Sequence, residues 1–127
     1  MITIPGPPTP LKRARHGKRN VYDSQKNLKA VHGILMKQEF TDPPLAGPLH
    51  MSFRFYMPLP IYKKKHQAQD LPHYSTPDLS NLIKYYEDVA NGILFTDDRL
   101  ISSISAIKLY DKDPRTEITI TQIQEKE

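Results

Sequence analysis

The segment from Pro77 to Asn91 constrains this 127-residue chain most, because it carries a start signal, a helical period and a stop signal together. Thr76 can cap a helix, and Pro77 suits its first position, where no amide hydrogen bond is lost. Asn91-Gly92 supplies the stop, since glycine accepts the left-handed backbone that ends a helix. At about 100° per residue, Leu79, Leu82, Ile83, Tyr86, Val89 and Ala90 fall within one apolar arc of roughly 120°. Asp78, Asn81, Lys84, Tyr85 and Asp88 fall on a separate polar arc. Such a helix needs a surface to bury its apolar face, and the remaining segments must build it.

Those segments read clearly. Ile2 to Ile4 alternates as a short strand and stops at the proline-rich run Pro5 to Pro10. Ser24 to about Phe40 has Leu28, Val31, Ile34 and Leu35 at helical spacing, with Gly33 weakening the pattern. Leu49 to Met57 alternates as a strand, with Leu49, Met51, Phe53, Phe55 and Met57 on one face. Pro58 to Pro77 is irregular and carries Lys63-Lys64-Lys65. Leu100 to Tyr110 and Thr116 to Ile123 read as two more strands, with Asp111 to Pro114 as a hairpin turn. The order strand, helix, strand, helix, strand, strand predicts an α/β domain over residues 1–127. It has one mixed sheet of about four strands with two main helices packed on it. So thin a core favours a homodimer, which buries the remaining surface.

The charge is unevenly distributed. Residues 1–65 hold twelve Lys/Arg against three Asp/Glu, a balance of +9, while residues 66–127 hold six against eleven, a balance of −5. A polyanion is drawn to the first half. Carboxylates in the second can hold a metal beside a phosphate. The same asymmetry also suits a solvated surface of no special function. Lys12, Arg13, Arg15, Lys18 and Arg19 form a basic arm over residues 11–20, and Lys63, Lys64 and Lys65 lie in a basic loop over residues 58–77. Both are candidate phosphate contacts, with a solvated loop as the plain alternative. There is no cysteine, so no disulfide and no thiolate metal site; that suits a cytoplasmic setting. Nothing in the sequence reads as a signal peptide or a membrane span.

Two acidic points flank the second helix, Asp78 at its start and Asp97-Asp98 beyond its end. A helix of that length spans roughly 20 Å, so Asp78 and Asp98 meet only if the chain after Gly92 turns back along it. Hard oxygen donors in such a pair suit Mg²⁺, which needs only one or two protein carboxylates. Lys84 could steady a phosphate beside them. The ordinary alternative has Asp78 complementing the helix dipole, Asp97-Asp98 filling a turn and Lys84 solvated. His73 has no partner visible in sequence, and His16, His32, His50 and His66 lack metal-ligand spacing. Tyr86 reads as core, while Tyr85 is open to stacking on an unpaired base.

The stretch Thr76-Pro77-Asp78-Leu79-Ser80-Asn81-Leu82-Ile83-Lys84, followed by Asp88, Asn91-Gly92 and Ile93-Leu94-Phe95-Thr96-Asp97-Asp98, resembles the core signature of RusA-type Holliday-junction resolvases. That signature is Pro-Asp-x-Asp-Asn-Leu with a lysine near its end, a helix reaching Asn-Gly, then Asp-Asp. The run Ile4 to Pro10 with the basic residues and Val21-Tyr22 is similar to the family's opening. Lys108 and Pro114 to Ile120 fit its close. The resemblance implies a dimeric, Mg²⁺-dependent endodeoxyribonuclease, with Mn²⁺ able to substitute, of bacterial, phage or prophage origin. It would cut four-way DNA junctions symmetrically in recombination and repair. It implies that Asp78 and Asp98 are catalytic metal-binding carboxylates, Asp97 a companion acid, Lys84 the essential lysine and Asn81 an organiser of the helix start. The catalytic motif then spans residues 77–98.

Two departures stand out. Thr76 replaces the basic residue that many relatives have before Pro-Asp. More consequentially, Ser80 stands where the family has its second carboxylate, and a hydroxyl brings no negative charge. Three readings follow: another acid such as Asp97 or Asp88 compensates, metal binds weakly but cleavage persists, or the chain is a junction binder without catalysis.

Overall fold

The structure is a computed structural model that describes residues 1–12, 15–16, 21–60 and 65–124. In chain order the elements are β1 (Ile2–Pro5), β2 (Arg15–His16), β3 (Val21–Tyr22), α1 (Lys26–Glu39), β4 (Leu49–Pro58), α2 (Lys65–Ala68), α3 (Leu79–Ala90), β5 (Ile101–Asp111) and β6 (Arg115–Gln122). β1, β6, β4 and β5 lie side by side in that order, and β2 pairs with β3 in a separate ribbon. β4 runs parallel to β5 and antiparallel to β6, and β1 runs antiparallel to β6. The mixed four-stranded sheet with two main helices is therefore the architecture expected from the sequence. Among the described residues, no helix is long and apolar enough to cross a membrane.

The sheet's alternation organises the core. Leu49, Met51, Phe53, Phe55 and Met57 all turn to the helix side and are buried, joined there by Ile2, Ile4 and Ile118 from the neighbouring strands. α3 meets this surface with Leu82, Tyr85, Tyr86, Val89 and Ala90. Burying each such side chain is worth about 1.5–3 kcal/mol, so the strand–helix contact dominates the fold's stability. On the opposite face Tyr56 is also buried, because the Arg115 guanidinium lies 3.8 Å over its ring.

Several expectations are corrected. β5 and β6 form no hairpin: β6 pairs with β1 and β4, so the Asp111–Pro114 connection carries the chain across the end of β4. A short turn predicts pairing only where no other strand lies between its two arms. Most of the apolar stripe of α1 does not face the core either: Leu28, Val31 and Ile34 are 41%, 53% and 58% exposed, Leu35 alone of the stripe packs against the core, and His32, Gly33 and Met36 are the buried residues. The reason is close approach. A Cβ on Gly33 would lie 3.2 Å from Ile93 Cδ1, so glycine lets α1 sit against the turn that follows α3. Buried His32 is satisfied by the Tyr85 hydroxyl at 2.8 Å, and Tyr85, placed on the polar arc from the sequence, is fully buried by that contact. α3 begins two residues later than expected, with Asp78 rather than Thr76 at the cap position and Pro77 before it.

The segment between β4 and α3 is also more ordered than its prolines suggest. It contains α2, and its last part lies along the free edge of β5. Asp70 N–H donates to Tyr110 O at 2.9 Å, Tyr110 N–H to Leu71 O at 2.9 Å and His73 N–H to Lys108 O at 3.0 Å. A lone edge strand is thereby covered near its end.

Candidate functional site

α3 carries the site on the flank that its core contacts leave free. Ser80, Lys84 and Glu87 follow one another at i, i+4 and i+7, so they share one strip of the helix. Ser80 and Lys84 are exposed and Glu87 is half-buried. Asp78 precedes the strip as the cap residue, and its carboxylate makes no capping hydrogen bond. It is exposed and, among the described residues, forms no ion pair, so both oxygens are free to bind elsewhere.

The chain after α3 does turn back. Gly92, at φ +83°, donates to Phe95 O at 2.8 Å, and Leu94 and Phe95 are fully buried beside the helix. Leu45 pins the turn from outside: its N–H donates to Leu94 O at 2.9 Å and its carbonyl accepts from Thr96 N–H at 3.1 Å. A short 3-10 turn, Asp98–Leu100, follows. Asp97 caps it, accepting from Arg99 N–H at 3.0 Å and pairing with the Arg99 side chain at 3.5 Å. These contacts hold the Asp97 carboxyl below its ordinary range, the Arg99 N–H bond most of all. Asp98 is exposed and engaged with no cation among the described residues.

This return brings Asp98 into the electrostatic neighbourhood of Glu87. Glu87 is held above its usual carboxylate range, first by burial and then by the negative charges of Asp98 and Asp88, with Lys84 pulling the other way. Two carboxylates that repel one another beside a single lysine form a locally unbalanced negative surface, which suits a hard cation. Asp78 stands about 13 Å along the helix axis from Glu87, at 1.5 Å per residue. Among the described residues, no three His, Asp or Glu side chains converge as a ready-made metal cage. The donor chemistry nevertheless fits a divalent ion that keeps several waters and takes one or two carboxylates.

Of the acids named from the sequence as substitutes at Ser80, Asp88 points away: it lies 3.4 Å from Lys29 of α1. Asp97 is spent on its cap and on Arg99. Glu87 was missed, because only the return of the chain brings the Asp98 charge to bear on it. Its spacing of seven from Ser80 was the available signal.

The N-terminal segment is strapped across the start of α3. Thr9 N–H donates to the Tyr86 hydroxyl at 3.1 Å and Leu11 N–H to Asn81 O at 3.0 Å. Buried Gln25 ties the same segment down, accepting from Lys12 N–H and donating to Pro10 O, both at 2.9 Å. Asn81 joins this strap through its backbone, its carbonyl accepting from Leu11 and its N–H donating to Asp78 O at 3.1 Å. Lys12 is exposed close to this strap. Arg15 and Lys65 are described in backbone only, while Arg13, Lys18, Arg19, Lys63 and Lys64 lie outside the described residues. His73 is half-buried beside Lys108, and burial together with that lysine's charge lowers its proton affinity. It packs 4.9 Å from the Tyr110 ring.

A family model for endodeoxyribonuclease RusA matches residues 5–121. The uncharacterized protein YqaN of Bacillus subtilis (strain 168) is 27% identical over 135 residues, which takes in 96% of this chain and 95% of that protein.

Proposed function

The chain belongs to the endodeoxyribonuclease RusA family, a family of junction-resolving nucleases, and from that premise we propose that it is an active, Mg²⁺-dependent resolvase working as a homodimer on four-way DNA. The observation that carries the reading is the free acid pair at the two ends of one motif. Asp78 and Asp98 both keep their carboxylates clear of cations, while Asp97 and Asp88 beside them are engaged.

Asp78 and Asp98 are the carboxylates we assign to the metal, and Glu87 would add negative charge at the Asp98 end of the motif. A bound divalent ion supplies water activation and neutralises charge that builds on the phosphate. The chain's own residues do the rest. Lys84, on the strip shared with Glu87, binds a non-bridging phosphate oxygen and favours the more charged transition state. The strap of residues 9–12 fixes the helix start, so the position of Asp78 does not depend on the substrate. The arm of residues 11–20 and the loop of residues 58–77 are the proposed backbone contacts, which would make binding salt-sensitive. A twofold dimer presents two such sites to opposed strands. A second reading, a junction binder without catalysis, rests on Ser80 alone.

Cleavage of a synthetic four-way junction with Mg²⁺, beside a linear duplex of the same sequence, tests this. Paired cuts in opposed junction strands are expected, and none in the duplex. Asp98→Asn should lower the cleavage rate by a factor on the order of 10² or more while junction affinity stays nearly unchanged. Tight junction binding without cuts, with either Mg²⁺ or Mn²⁺, would instead establish the non-catalytic binder.

A further inference from the structure

We propose that Lys108 is a positioning residue for the nuclease site: it pins the Ser75–Pro77 turn onto β5 and so sets the direction in which Asp78 offers its carboxylate. This rests on the function proposed above. Lys108 lies on edge strand β5 in register with Phe55, facing the helix side of the sheet. Its ammonium donates to Ser75 O at 2.8 Å and to Pro77 O at 2.7 Å. Pro77 O belongs to the peptide unit that enters Asp78, so the clamp acts one bond from the cap residue's own backbone.

The same residue holds the segment a second time, its carbonyl accepting from His73 N–H at 3.0 Å. The bonds between Asp70, Leu71 and Tyr110 continue that docking one register further along β5. A proline-containing turn has few amide donors of its own, so its carbonyls need an outside partner. A single charged group that bridges two of them fixes the turn as a unit, and hydrogen bonds to an ionised donor are the stronger kind. Asp78 receives no such help from α3, since its side chain makes no capping bond there. Its orientation is therefore set from behind, by Lys108, and from beside, by the Leu11 strap on Asn81. Removing an orienting partner behind a metal-binding carboxylate weakens affinity without removing a ligand.

The test compares full-length wild type, Lys108→Met, Lys108→Arg and Asp98→Asn by Mn²⁺ titration calorimetry and by amide hydrogen exchange. Lys108→Met should raise the Mn²⁺ dissociation constant about tenfold. It should also speed exchange at Asn81 and Leu82, whose N–H groups bond Asp78 O at 3.1 and 3.2 Å. Lys108→Arg, which keeps charge and donors, should recover most of both. Asp98→Asn should lose Mn²⁺ affinity with exchange at those two amides unchanged, which separates a ligand from a positioner. Wild-type Mn²⁺ affinity and wild-type exchange in Lys108→Met would overturn the proposal. If that variant does not fold, Lys108→Gln keeps an N–H donor without the charge, and unaltered Mn²⁺ affinity there would overturn it equally. A wild type that binds Mn²⁺ but cuts no junction would defeat the proposed function and leave the Lys108 comparison decisive. A wild type that binds no Mn²⁺ would defeat both.

Discussion

α1 and α3 lie on the same face of the same sheet, yet their sequences report their packing in opposite ways. In α3 the apolar arc is the buried face, and the residues beside it carry the chemistry. In α1 three of the four stripe residues, Leu28, Val31 and Ile34, are exposed, and the helix docks through His32, Gly33 and Met36 with Leu35 beside them. Periodicity states that a face is apolar; it does not state what covers it. α3 packs on the β5 side of the sheet and drives its apolar arc into the shared core. α1 sits at the flank, where its distance from the Ile93 turn matters more than apolar area, and glycine wins the inner position. Exposed apolar residues on one stripe of a helix are a surface of a different kind from scattered ones.

The largest contrast should appear in stability. Leu82, at 0% exposure on α3, touches the core over its whole side chain. Leu82→Ala should cost about 2–5 kcal/mol, the range for a large-to-small change in a packed core. Urea unfolding measures it. A loss under about 1 kcal/mol would mean that α3 is less tightly seated than its burial implies, and the contrast with α1 would dissolve.

How much of this was legible beforehand follows the same divide. The alternation of β4, the existence of both helices and the stop at Asn91-Gly92 were readable because local pattern and global burial agree there. Asp78, Lys84 and Asp98 became candidates through the resemblance to the family's signature, and the return of the chain after Gly92 could be stated as a condition but not deduced. Three things were hidden for one physical reason, that each depends on a contact distant in sequence. Tyr85 is buried because His32 needs its hydroxyl. Lys108 reaches Ser75 O and Pro77 O because β5 runs beside that turn. Glu87 feels the Asp98 charge because Leu94 and Phe95 dock. The β5–β6 connection misled for a related reason: two strands joined by a short turn are separated by β4, which fits between them only in three dimensions.

A smaller effect sharpens the comparison from the site's side. Burial and the Asp98 charge raise the proton affinity of Glu87, so its ionised form is disfavoured in the folded chain. For an acid whose folded-state pKa is raised, stability is greatest while the proton is bound and declines as pH climbs from the unfolded value through the folded one. Once the pH exceeds the folded-state value the penalty is fully present. Glu87→Gln should therefore raise the Tm of the metal-free protein slightly at pH 7, and the gain should vanish as pH falls below the ordinary carboxylate range near 4.3. The same substitution should weaken Mn²⁺ binding. A variant that lost stability at pH 7 would show that Glu87 is a structural group, leaving Ser80 without a substitute. Such opposed signs are expected where a site stores unfavourable charge for a ligand.

The smallest expected effect is at Ile34, 58% exposed on α1. Ile34→Ser removes apolar area that the isolated chain already leaves in water, so the fold should change by no more than about 0.5 kcal/mol. Thermal unfolding at two protein concentrations, tenfold or more apart, is the right measurement, because association stabilises a folded chain by mass action and an intramolecular contact does not. Equal Tm values for variant and wild type at both concentrations would mean that the α1 stripe is solvated, as the chain's own packing leaves it. A deficit in the variant that grows with concentration would mean instead that a second copy covers the stripe. The two helices would then differ only in which molecule supplies the cover.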